Sequence, residues 1–139
     1  MTRIDFHSNV AEKLNYCCRL IRKAHAANCK IVVFHQDRAY LQRLNEALWT
    51  LSEADFLPHV MLNDPLSAMT PIVLSHDDRA ACPHYELLIN LTSVTPANFT
   101  QFSRMIEVIS ADESDRLAGR DRYRHYQQLG HALTHSVAK

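Results

Sequence analysis

Glycine is nearly missing from this chain, with two among 139 residues, Gly119 and Gly130. Neither follows a predicted strand. A G-x-G-x-x-G turn and a G-x-x-x-x-G-K-[ST] loop are therefore both absent, and without them the backbone offers no cradle that approaches a phosphate closely. Dinucleotide and ATP binding are set aside on that ground. A charge excess is missing too, since 15 basic residues balance 15 acidic ones. Proteins that coat nucleic acid draw most of their affinity from phosphate contacts and normally carry a basic excess, so direct binding of single-stranded DNA is disfavoured.

Long apolar runs are lacking as well. No stretch approaches the roughly 18 apolar residues of a membrane span, and "MTRIDFHSNV" has none of the apolar core of a signal peptide. The four cysteines, Cys17, Cys18, Cys29 and Cys82, show neither C-x-x-C spacing nor the look of a disulfide framework. Free thiols without an export signal lead to the expectation of a cytoplasmic protein with buried structural cysteines.

Recognisable catalytic and metal-binding patterns are the next absence. His131 and His135 would share one face if the last helix reached them, but Ala132, Leu133 and Thr134 lie where a metalloprotease carries its glutamate. Cys82 and His84 have no partner pair at the right spacing. No metal and no other cofactor is expected. There is no G-x-S-x-G elbow, Cys17 and Cys18 fall in mid-helix, and adjacent Asp77 and Asp78 read as a solvated loop. A triad assembles from distant positions, so a small α/β hydrolase or transferase using dispersed His and Asp residues stays open as the alternative function.

What is present is an alternation of strand and helix. "RIDFH" (3–7) reads as a strand, and residues 8–30 as a helix with Ser8 or Asn9 as N-cap and Glu12 near its first turn. "KIVVFH" (30–35) is an apolar run suited to a strand covered on both faces. Asp37 opens a second helix through about Leu51. Strands follow at 71–75, 85–92 and 104–110, with a short helix at 95–102 and a long polar helix over 111–136. The fold expected for residues 1–139 is a single α/β domain with a mostly parallel sheet flanked by helices, three layers in a nucleotide-binding-like arrangement without a phosphate loop.

Two stretches are left without a structural duty. "LNEALWTLSEADFLPH" (44–59) holds the only tryptophan, Trp49, and then Phe56. These aromatics either cap a core or form a protein-binding patch. In "GRDRYRHY" (119–126), Arg120, Tyr123 and Arg124 share one helical face that Arg116 and Gln127 extend, while Arg122 and Tyr126 point elsewhere. A solvated helix with intrahelical pairs, such as Asp112 or Asp115 with Arg116, accounts for that pattern. A docking face for an acidic peptide ending in an aromatic residue accounts for it equally, with guanidinium groups on carboxylates and Tyr123 and Ile109 walling an apolar pocket.

The residues also resemble a known family, the chi subunit of bacterial DNA polymerase III. The aromatic stretch 44–59 is similar to that family's "DEALW…F-[VL]-P-H" segment. "YELLINLTSVTPANFTQFSRMIEVI" resembles its "D-I-L-I-x-L" strand with the helix and strand that follow, and "GRDRYRHYQQLG" its "AR-x-RY-[KR]-x-Y…G" helix. None of these is a catalytic motif. The resemblance implies a non-enzymatic adaptor of the clamp-loader assembly. Such an adaptor binds the acidic C-terminal tail of single-stranded-DNA-binding protein and a psi-type subunit, and meets DNA indirectly. The tail-binding residues it implies are Arg120, Tyr123 and Arg124, the last more often lysine in the family, with Ile109 in the pocket for the tail's terminal phenylalanine. The psi-facing aromatics it implies are Trp49 and Phe56.

Overall fold

The computed structural model describes residues 1–50 and 57–138. The apolar runs become the centre of a seven-stranded sheet. Strands β2 (Ile31–Phe34), β4 (Ile72–Ser75) and β5 (Leu87–Asn90) are buried at every position, as strands covered on both faces must be. Around them stand β1 (Arg3–Val10), β3 (His59–Met61), β6 (Arg104–Ser110) and β7 (Leu133–Val137), in the order β3-β4-β2-β5-β6-β1-β7. Every neighbouring pair is parallel.

Alternation along the strands assigns the helices to layers. Ile31, Val33, Ile106 and Val108 join a core with Cys17, Cys18 and Ile21 of α1 (Lys13–Ala26) and Leu41, Leu44 and Leu48 of α2 (Arg38–Thr50). On the opposite face Ile4, Phe6, Val32, Phe34, Met105 and Ile109 pack with Phe99, Phe102 and Tyr126, the last from α3 (Glu113–Gln128). This is the three-layer, parallel α/β arrangement that the strand–helix alternation implied. Burial pushes the Cys18 thiol up to about 11 and raises Cys17 well above the usual range, so both behave as apolar core atoms.

The structure corrects the expected elements at four points. Strand β1 runs on to Val10, so Ser8 and Asn9 lie in the ladder and Glu12 caps α1 instead, its carboxylate accepting from the Leu14 and Asn15 N–H groups at 3.2 and 2.7 Å. Asn9 takes the left-handed conformation (φ 59°) that makes the irregularity between His7 and Val10. The expected helix over 111–136 ends at Gln128, because Gly130 (φ 88°) turns the chain out while the Gly130 and His131 N–H groups return to Gln127 and Tyr126 carbonyls. Asn28 (φ 64°) ends α1 in the same way, doing a glycine's work in a chain that has almost none. Beyond Gly130 the chain forms β7, so His131 and His135 share no helical face. The expected helix at 95–102 is only a short 3-10 turn, Phe99–Gln101, and β3 had no counterpart in the expected elements.

Strand β7 is tied down at Asp5, whose carboxylate accepts from Thr134 and, at 2.6 Å, from Arg104. Burial alone raises the Asp5 pKa, but the Thr134 and Arg104 hydrogen bonds and the charges of Arg104 and Arg3 outweigh it, leaving it below its ordinary 3.8. A depressed carboxyl contributes stability above its ordinary pKa and loses that contribution as the pH falls through the folded-state value. Asp5→Asn is expected to cost about 1–2 kcal/mol near neutral pH. Melting curves of the two proteins should converge as the pH falls through the depressed folded-state value of Asp5, below its ordinary 3.8.

Candidate functional site

Buried charge sets how α3 sits. Glu107 lies on the α3 face of β6 with no solvent exposure. A carboxylate there must be paired. Arg122, 5% exposed, donates Nε to Oε2 at 3.0 Å and Nη2 to Oε1 at 3.2 Å, and its Nη1 reaches the Ser93 carbonyl at 2.7 Å. The Tyr126 hydroxyl donates to Oε2 at 2.6 Å and Asn90 Nδ2 to Oε1 at 2.7 Å. Burial disfavours the Arg122 charge, but Glu107 more than offsets this and its pKa is raised. Burial first, then the Glu107 charge, pushes the Tyr126 phenol well above its usual range.

At the helix start, Asp115 accepts from the Ser110 N–H at 2.7 Å and from Lys13 Nζ at 2.8 Å, joining α3 to β6 and α1. The expected pairing of Asp115 with Arg116 is thus replaced by a contact to another element. Gly119 lets the helix come close, since a Cβ there would stand 2.3 Å from Ile109 Cδ1. The buried positions of α3 are Asp115, Gly119, Arg122 and Tyr126, spaced 4, 3 and 4.

With those residues inward, the Arg120 face turns to a cleft of about 610 Å³ between α3 and the β1–β7 edge. Arg120, Tyr123, Arg124 and Ile109 all line it, as do Arg116 and Gln127. Arg120 and Arg124 are exposed. Tyr123 is half-buried, its ring edge-on to Phe6 at 5.0 Å and 61°, and Ile109 is 4% exposed beneath Gly119. Ser8 and Asn9 of β1, Ser110 at the end of β6 with Ala111 after it, and His135 of β7 complete the walls. Neighbouring β1 and β6 lead into α1 and α3 on opposite faces, so the cleft lies at the carboxyl ends of two diverging strands, where open α/β sheets place ligands. Among the described residues, three arginines line it and no Asp or Glu side chain does.

Trp49 stands at the end of α2, 48% exposed, with its ring against His59 at 4.5 Å. It is therefore not enclosed in the core. Phe56 lies outside the described residues. A second cleft, about 680 Å³, brings His76, Asp77 and Cys82 near Arg38 of α2. There Asp77 Oδ1 accepts the Arg79 N–H at 2.9 Å, and burial raises the Cys82 thiol, which disfavours its reactive thiolate. Among the described residues no cluster of three or more His, Cys, Asp or Glu side chains is arranged to hold a metal. At α1, where a phosphate would sit in a nucleotide-binding relative of this fold, Glu12 fills the helix N-terminus with its own carboxylate.

Comparison with known proteins decides the family. The model of the family described as DNA polymerase III chi subunit, HolC, matches residues 1–134. The chain belongs to the DNA polymerase III chi subunit family. It is 31% identical to the DNA polymerase III subunit chi of Pseudomonas aeruginosa over 137 residues, covering 96% of this chain and 94% of the relative. The subunit chi of Haemophilus influenzae is 24% identical over 84% of this chain and 81% of its own, and that of Escherichia coli K12 is 20% identical over 88% and 83%. Membership of the chi family gives the chain a role in DNA replication. Among the described residues, no helix is long and apolar enough to cross a membrane.

Sequence reasoning missed Glu107 and its partners. A lone acidic residue on the alternating strand "RMIEVIS" was the available signal, since a strand buried on both faces tolerates a carboxylate only when it is paired. It missed His135 and Ser8 because both had been assigned to helices. Replacing Glu107 by Gln strands the Arg122 charge, and the expected loss is roughly 3 kcal/mol, measured by urea unfolding.

Proposed function

We propose that the protein is a non-catalytic adaptor of the DNA polymerase III assembly. Its α3 cleft takes the acidic C-terminal tail of single-stranded-DNA-binding protein, and the surface around Trp49 and Phe56 seats a psi-type subunit that connects it to the clamp loader. The observation that carries the reading is the cleft's composition. Among the described residues, Arg116, Arg120 and Arg124 line it without an Asp or Glu side chain, in a chain of net charge +0, beside the apolar surface of Tyr123 and Ile109. Guanidinium groups suit the carboxylates of an acidic tail, and an aromatic terminal residue suits the apolar floor. A modest affinity per tail suffices, because several tails on one DNA-bound assembly raise the effective concentration.

Fluorescence anisotropy with a labelled acidic peptide ending in Asp-Phe tests this. Binding should weaken as salt rises, fall by about tenfold or more in Arg124→Glu, and vanish when the terminal Phe is removed. Peptide affinity unchanged by Arg124→Glu, in a variant with wild-type circular dichroism, overturns the cleft assignment.

The second surface rests on Trp49, an exposed aromatic of the type that dominates interface energetics. Trp49→Ala is expected to weaken capture of a purified psi-type subunit by about tenfold or more while leaving peptide affinity within a factor of about two. Loss of peptide binding along with psi capture would point to damage of the fold instead.

A further inference from the structure

The cleft has a wall that the helix does not supply. His135 projects from β7 on the same face as Leu133 and Val137, opposite Phe6 in the parallel register, and its Nε2 lies 2.7 Å from Ser8 Oγ. Among the described residues, the charged side chains that line the cleft with it are Arg116, Arg120 and Arg124, all from α3. Strand β1 presents Phe6 and Ser8 on this side, while its Asp5 and His7 engage Arg104 and Tyr16 on the other. We propose that His135 is a further ligand-contacting residue of the cleft, which as imidazolium binds a carboxylate of the docked acidic peptide, so that docking takes up a proton and tightens as pH falls.

This inference rests on the acidic-peptide reading of the cleft and adds a residue and a regulation to it. An imidazole changes charge between about pH 5 and 8; the arginines of the cleft disfavour its charged form, and the carboxylates of a bound peptide favour it, so peptide binding and protonation support each other. The partner at Nε2 permits the change. A hydroxyl both donates and accepts, so Ser8 keeps its hydrogen bond to either ring form, and Nδ1 remains to donate to the ligand. Because His135 comes from the edge strand and the arginines from α3, the two sets grip a peptide from opposite walls.

The test is the anisotropy titration of the intact protein with the acidic Asp-Phe peptide at about pH 6, 7 and 8 and constant ionic strength, a range in which the peptide carboxylates stay ionised. Wild type should bind about five-fold more tightly at the lowest pH than at the highest. His135→Gln, an exposed position on an edge strand, should lose the pH dependence, its affinities at the lowest and highest pH agreeing within about two-fold. Wild-type binding that does not vary with pH, or a His135→Gln protein with the wild-type slope, overturns the role of His135 and leaves the docking cleft standing. Failure of wild type to bind the peptide at any of these pH values removes the docking reading and this inference together.

Discussion

A carboxylate at the centre of a sheet dictates terms to whatever packs over it. Glu107 has no solvent, so it needs donors, and it takes them from three directions: Asn90 on the next strand, Arg122 and Tyr126 on the helix above. Arg122 and Tyr126 are four apart and therefore point the same way. Once both reach Glu107, the rotation of α3 is set and Arg120, Tyr123 and Arg124 have one direction left. Sliding the helix by one residue would bring Asp121 or Tyr123 toward Glu107 in place of Arg122, leaving the buried carboxylate without its cation. An apolar stripe would hold a helix with comparable energy but tolerate more sliding, which is the specificity that buried pairs can supply.

The scarcity of glycine now has a structural counterpart. Phosphate-binding members of this architecture use glycines to bring backbone N–H groups to the ligand at the first helix. Here that helix begins with Glu12, whose carboxylate occupies the N–H groups itself, and the left-handed turns fall to Asn9 and Asn28. Of the two glycines, Gly130 ends α3 and Gly119 brings α3 against Ile109. Both serve the helix that frames the cleft.

The layers of the fold were legible because continuous apolar runs such as "KIVVFH" and "PIVLS" have few other destinations than a doubly covered strand. The 104–110 strand was legible to the residue, and so was the sharing of one face by Arg120, Tyr123 and Arg124, which needs only the helical period. What was not legible depends on pairing over long distances. Residues 133–137 are mostly exposed and polar, and they are a strand only because the outer edge of β1 is there to pair with them. The same pairing drew Ser8 out of the expected helix, with Asn9 in the irregularity that follows it. Glu107 could have been flagged as needing a cation, but nothing local says that the cation is Arg122.

Strand β7 is the last of the seven in chain order and pairs with the first, Ile4 lying beside Leu133. Chains emerge from the ribosome N-terminus first, and contacts between residues so far apart form late because loop closure must come before them. Until residues 133–137 appear, β1 has one bare edge and the cleft lacks the wall that carries His135. The surface at α3 is thus finished by the closing step of folding. A nascent chain that still lacks β7 already carries the arginines but not the complete groove.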